Sequence, residues 1–191
     1  MNQPKPARHL ACIPTYAPGR SKEEIARAYG VERPIKLASN ENPLGPSPKA
    51  LAAMQQALGE MHLYPDATAA ELRSAAASHF GCAPENVIAG NGSDEILDLV
   101  CRAYLNPGDR VLIPACTFSY YRIAALGCAA ECLTAAMKGF GLDADQLIEG
   151  LQARPKLVFI ANPNNPTGTA LGANELGRIL DAADEQTIVV V

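Results

Sequence analysis

The chain has 191 residues, 48% of them hydrophobic, enough apolar material for one good-sized domain with a real core, which excludes a disordered protein. Sixteen Lys and Arg against twenty Asp and Glu give a net charge of -4, and the basic residues are scattered, leaving nucleic acid no footprint. The start, Met1-Asn2-Gln3-Pro4, lacks a signal peptide's apolar core and no apolar stretch approaches the ~20 residues of a membrane helix, so no membrane partner and a cytoplasmic location are expected.

In chain order, a Pro-rich arm precedes the first helix signal, Ser21-Lys22-Glu23-Glu24, a capping box that Gly30 can terminate. Residues 35–38 read as a short strand entering 39–46, a segment too rich in Pro, Gly and Asn for a helix. Ser47-Pro48 starts the next helix, a cap followed by Pro in the first turn. Thr68-Ala69-Ala70-Glu71 is a second capping box, opening an Ala-rich helix that Gly81 closes before Pro84 and a strand at Val87-Ile88-Ala89.

From there strand and helix alternate. Strands are predicted at 110–113, 130–134, 156–161 and 187–191, and helices at 93–104, 119–126, 144–151 and 174–183. Short apolar strands alternating with helical patterns predict an α/β fold: a three-layer αβα arrangement whose mostly parallel sheet is covered on both faces. The cysteines, Cys12, Cys82, Cys101, Cys116, Cys128 and Cys132, include no Cys-x-x-Cys pair and are expected to be reduced, most of them buried. Cys128 and Cys132 have no nearby His to complete a tetrahedral site, so no metal is expected. His9, His62 and His79 share no context and read as solvated or structural.

Three segments carry chemical signals, each following a predicted strand, where open α/β sheets place ligands. Ala89-Gly90-Asn91-Gly92-Ser93-Asp94-Glu95 leads into a helix whose first amides would face a phosphate, although Gly-Ser-Asp is equally a tight turn with an N-cap. It lacks the Gly-Lys-Ser/Thr ending of a Walker loop and the last residue of a dinucleotide fingerprint. Cys116-Thr117-Phe118-Ser119 offers an aromatic ring to a planar heterocycle, or to core packing. Asn162-Pro163-Asn164-Asn165-Pro166-Thr167-Gly168 is a rigid turn in which two prolines restrict the backbone and Gly168 admits conformations closed to other residues. Such a turn can hold a carboxamide still against a cofactor.

These segments, with Tyr16-Ala17-Pro18-Gly19, Asn40-Glu41-Asn42-Pro43-Leu44-Gly45 and Tyr64-Pro65-Asp66, occur in the order found in histidinol-phosphate aminotransferases, which the chain resembles from about Tyr16 to Val191. The Asn-Pro-Thr-Gly turn marks fold-type-I aminotransferases that use pyridoxal 5'-phosphate (PLP). Asn-Glu-Asn-Pro-Leu-Gly with an upstream Tyr-x-Pro-Gly is more particular to the histidinol-phosphate branch. The resemblance implies an arm and first helix over 1–34 and the amino-terminal part of the PLP-binding large domain over 35–191.

It also implies roles. Ser93 and Asp94 match the residues that bind the cofactor phosphate, Phe118 the ring that stacks on the pyridine, and Asn165 the amide that donates to the phenolic oxygen. Tyr64 matches a residue reaching the neighbouring subunit's cofactor in a homodimer, and Tyr16 and Asn40 match substrate-holding positions. The family's later Asp-Glu-Ala-Tyr segment, its Schiff-base lysine in Ser-x-Lys and its substrate arginines have no match here. None of Lys5, Lys22, Lys36, Lys49, Lys138 and Lys156 stands in the lysine's context. The chain is therefore expected to be the amino-terminal half of the enzyme, to contain no catalytic residue, to be inactive alone and to be poorly soluble. Threonine-phosphate decarboxylases and aromatic aminotransferases share much of the pattern, and a noncatalytic dimerising partner is the alternative of another class.

Overall fold

The computed structural model describes residues 5–15, 19–37 and 39–191, which fall into two units. The first comprises the described residues of Thr15–Val87. Helix α1, Lys22–Tyr29, starts on the predicted box: Ser21 Oγ accepts from the Glu24 amide at 3.1 Å, and Glu24 Oε2 accepts from the Ser21 amide at 2.9 Å. Gly30 ends it at φ 66°, a left-handed stop that costs glycine little. Helix α2, Pro48–Ala57, has its proline in the first turn, but the Ser47 side chain makes no cap bond.

Helix α3, Ala70–Phe80, corrects the second predicted box. Thr68 does not cap it. The Asp66 carboxylate accepts the Ala70 amide at 2.8 Å, the Thr68 amide at 2.9 Å and the Thr68 hydroxyl at 2.8 Å. A charged acceptor outcompetes a hydroxyl and occupies it as a donor. These bonds hold the Asp66 carboxyl below its usual range, the Ala70 amide contributing most.

Two predicted strands do not form among the described residues, Ala38 of the first lying outside them. Residues 35–37 form no strand, and Ile35 and Leu37 lie exposed. Residues 87–89 are likewise unpaired, since no strand among the described residues runs beside them and Arg73 Nε takes the Val87 carbonyl at 3.0 Å.

The second unit joins Ile88–Val191 to the described residues up to Pro14. Its helices are α4, Ser93–Tyr104; α5, Tyr120–Gly127; α6, Ala144–Leu151; and α7, Ala173–Ala182. Its main strands are β1, Arg110–Pro114; β2, Glu131–Ala135; β5, Leu157–Phe159; and β6, Ile188–Val190. Between them lies a two-residue ribbon not foreseen in the sequence, β3, Met137–Lys138, against β4, Gly141–Leu142. The four main strands are parallel in the order β2-β1-β5-β6, with β1 Leu112 opposite β2 Leu133 and β5 Val158.

Period-two alternation splits the core. Val111, Ile113, Leu157 and Phe159 face α4 and α5, where Tyr121 stacks on Phe159 with ring centroids 4.7 Å apart. Leu112, Val158 and Ile160 face α6 and α7, with Leu147, Leu151 and Ile179. Contact there is close enough that a Cβ on Gly150 would lie 2.6 Å from Leu112 Cδ1. The sheet is thus covered on both faces, as the sequence predicts.

The cysteines depart from expectation: all six are free, but Cys12, Cys82 and Cys116 are exposed, Cys128 and Cys132 are partly buried, and Cys101 alone is fully buried. An amphipathic helix or a loop end gives a small apolar side chain no obligation to face inward. Burial pushes the Cys101 thiol up to about 12. The folded chain therefore keeps this proton while the unfolded chain loses it near pH ~8.5. Stability should decline as pH rises from there toward 12, and urea midpoints measured across that range should lose this slope in Cys101→Ala.

Candidate functional site

The strand order turns at one place. From β1 the chain moves outward to β2, then crosses back so that β5 and β6 lie on the other side of β1. The loops leaving the carboxyl ends of β1 and β5 therefore part company and open a crevice, the usual ligand position of such sheets. The Phe118 loop lies on one side and the turn of residues 162–168 on the other.

A carboxamide bridges them. Asn164 is 2% exposed, the one buried polar residue among those described. Its Oδ1 accepts the Thr117 hydroxyl at 2.7 Å, and its Nδ2 donates to the Cys116 carbonyl at 2.9 Å and to Thr167 Oγ1 at 2.8 Å. Its backbone closes the turn: the amide donates to Thr169 O at 2.7 Å and the carbonyl accepts from Gly168 N at 2.7 Å, with Gly168 at φ 72°. Asn162 clasps the backbone of Leu171 from both sides, accepting its amide at 2.8 Å and donating to its carbonyl at 3.2 Å.

Phe118 follows Thr117 directly. Half-buried, its ring meets Tyr121 edge-on at 5.6 Å between centroids and lies 6.3 Å from Tyr120. Asn165 follows Asn164, partly exposed, and its side chain makes no hydrogen bond to any described residue. Phe118 and Asn165 thus stand on the two loops that the bridge joins, each one residue from a bridging side chain.

Helix α4 ends in a short turn into β1, so it runs back along the strand. Its twelve residues rise about 18 Å and the five of β1 about 16 Å, which sets Ser93 near the level of the strand's carboxyl end. The Tyr120 phenol is pushed up, first by burial and then by the charges of Asp98 and Asp94, and its side chain packs against the core cluster that holds Leu97 and Cys101 of α4. The N-cap is Gly92 at φ 86°, without a capping side chain, and the amides of Ser93, Asp94 and Glu95 have no acceptor among the described residues. Glu95 reaches back over the helix start instead of capping those amides: its Oε2 accepts the Asn91 backbone amide at 2.6 Å and the Asn91 side-chain amide at 3.1 Å, in a turn so close that a Cβ on Gly90 would lie 2.9 Å from it. Exposed amides at a helix start suit an anion.

A model of the aminotransferase class I and II family matches residues 32–191. The chain belongs to that family. A histidinol-phosphate aminotransferase of Anaeromyxobacter sp. is 47% identical over 184 residues, covering 96% of this chain and 50% of the relative; one of Maricaulis maris is 43% identical over 187 residues, covering 98% and 50%. A crystal structure of histidinol-phosphate aminotransferase from Sinorhizobium meliloti in complex with pyridoxal-5'-phosphate aligns with a TM-score of 0.82 at 26% identity, over 91% of this chain and 47% of that one. The chain spans about half the length of the curated relatives it matches. The α/β class and parallel sheet read from the sequence are those of this aminotransferase fold.

The remaining site residues predicted for this aminotransferase chain lie in the other unit or outside the described residues. Tyr64 and Asn40 are exposed in the Thr15–Val87 unit, Tyr64 fully so. Tyr16 falls outside the described residues. Sequence reasoning missed Asn164, Thr117 and Thr167 as the bridge. The available signal was hydroxyl side chains flanking both loops at strand ends, the donors and acceptors that a buried carboxamide requires.

Asn164→Ala should lower the unfolding free energy by about 2–4 kcal/mol, because it strands a carbonyl and two hydroxyls, whereas Asn165→Ala should change it by less than about 0.5 kcal/mol. Urea denaturation of the two variants side by side checks this contrast.

Proposed function

We propose that this chain forms the amino-terminal half of a PLP-dependent aminotransferase that exchanges an amino group between histidinol phosphate plus 2-oxoglutarate and imidazole acetol phosphate plus glutamate, in histidine biosynthesis. One observation carries the cofactor reading. The Asn164–Thr117 bridge spans the switch point, with Phe118 and Asn165 on either side and the unpaired amides of α4 at the same edge. The choice of substrate is supported by the names of the relatives, at 40–47% identity over nearly the whole chain.

The residues present fit the cofactor. The amides of Ser93 and Asp94 would hold its phosphate with the help of the helix dipole. Phe118 would lie on the ring face, and the free Asn165 amide would donate to the phenolic oxygen. When bound, the cofactor supplies the electron sink for the amino-group transfer. Tyr64, exposed, would reach a second subunit, and Tyr16 and Asn40 would hold substrate. A homodimer, a cytoplasmic location and residues 35–191 as part of the large domain belong to the same reading. No helix of the described residues is long and apolar enough to cross a membrane.

No lysine of this chain takes the role of covalent anchor and proton shuttle. Lys156 pairs with Asp109 at 3.2 Å beside the amino ends of β5 and β1, the opposite edge from Asn164, and Lys36 pairs with Glu41 at 3.3 Å. Incubated with PLP and borohydride, the chain should yield no lysine adduct and no transaminase activity. Noncovalent affinity for PLP should fall about 10- to 100-fold in Asn165→Ala and about 2- to 10-fold in Phe118→Ala. A clear imine band reduced by borohydride onto Lys36 or any other lysine of the chain, or unchanged affinity in both variants, would refute the reading. Histidinol phosphate, threonine phosphate and aromatic amino acids, assayed on a protein carrying this chain as its first half, separate the substrate classes.

A further inference from the structure

We infer that Thr117 and Asn164 are a positioning pair, whose hydrogen bond sets the spacing between Phe118 and Asn165 and so the width of the slot between them; its functional consequence rests on the cofactor reading above. The side chain of Asn164 is not needed to close its own turn. Backbone bonds to Thr169 and Gly168 already do that. All but one of its side-chain bonds go to the other loop, 47 and 48 residues away in sequence.

The orientation of the carboxamide is forced. The Cys116 carbonyl only accepts, so Nδ2 must face it, and Oδ1 is left for the Thr117 hydroxyl. The network continues through Thr167 Oγ1 to Thr169 Oγ1 at 3.0 Å, and Thr169 donates to the Phe140 carbonyl at 3.1 Å in the β3–β4 turn. Three loops at the carboxyl edge are thereby linked through one buried group. Side chains in contact within such a network couple energetically, so a change on one loop is felt on the other.

Thr117→Val keeps the shape and removes the donor, Thr117→Ser keeps the donor, and Asn164→Asp keeps the shape but turns an acceptor toward the Cys116 carbonyl. Hydrogen exchange followed by NMR in the 191-residue chain reads the loop opposite each substitution. Thr117→Val should speed exchange of the Gly168 amide about fivefold or more, and Thr117→Ser should stay within about twofold of the parent. Asn164→Asp should speed exchange of the Cys116 amide at pH 7, relative to the parent at the same pH. That difference should shrink near pH 4, where a protonated acid regains a donor. PLP affinity should fall about fivefold in Thr117→Val and recover in Thr117→Ser. Exchange at Gly168 unchanged in Thr117→Val, or an Asn164→Asp effect independent of pH, would overturn the pair. Should Asn165→Ala and Phe118→Ala both leave PLP affinity untouched, the cofactor reading fails while the exchange results still decide the pair.

Discussion

A buried carboxamide imposes the tightest demand on this chain. Placed at 2% exposure, Asn164 requires partners for a carbonyl oxygen and two N–H groups, and it finds them in Thr117, Cys116 and Thr167. Those partners lie on two loops that the strand order drives apart, and the demand for satisfaction draws them together. The crevice is opened by topology and given its dimensions by hydrogen bonding.

The rest of the sheet supports this arrangement. Strand β1 is flanked on both sides and packed on both faces, Val111 and Ile113 against one pair of helices and Leu112 against the other. Interiors packed this closely do not deform continuously, so the loop after β1 starts from a rigid base. Tyr121, stacked on Phe159 and edge-on to Phe118, carries that rigidity from the strand to the half-exposed ring. Helix α4 packs on the same face and returns its unpaired amides to the same edge.

The αβα architecture was legible because its signals are local. Apolar runs, glycine stops and the Ser21 box each act within a few residues, and helices α4 and α6 begin and end where their patterns predict. Errors arose where distant partners decide the outcome. Residues 35–37 and 87–89 have strand composition, yet a strand exists only with a neighbour to pair with. At Thr68 the box was present in letters, but Asp66 two residues earlier offered a stronger acceptor. At the site, the sequence pointed to Asn165 and Phe118, residues with free faces, and passed over Asn164 and Thr117. A bond between residues 47 apart leaves no periodic trace.

The central claim is that the start of α4, the Phe118 loop and the Asn165 turn form one half of a PLP cradle. Titrating pyridoxal 5'-phosphate into the 15N-labelled chain and following its amide resonances tests this directly. The account predicts shifts concentrated at the Ser93 and Asp94 amides, at Phe118 and at the Asn165 side-chain amide, saturating together with one dissociation constant. Shifts confined to the opposite edge, around Asp109 and Lys156, or saturating separately at the three segments, would contradict it.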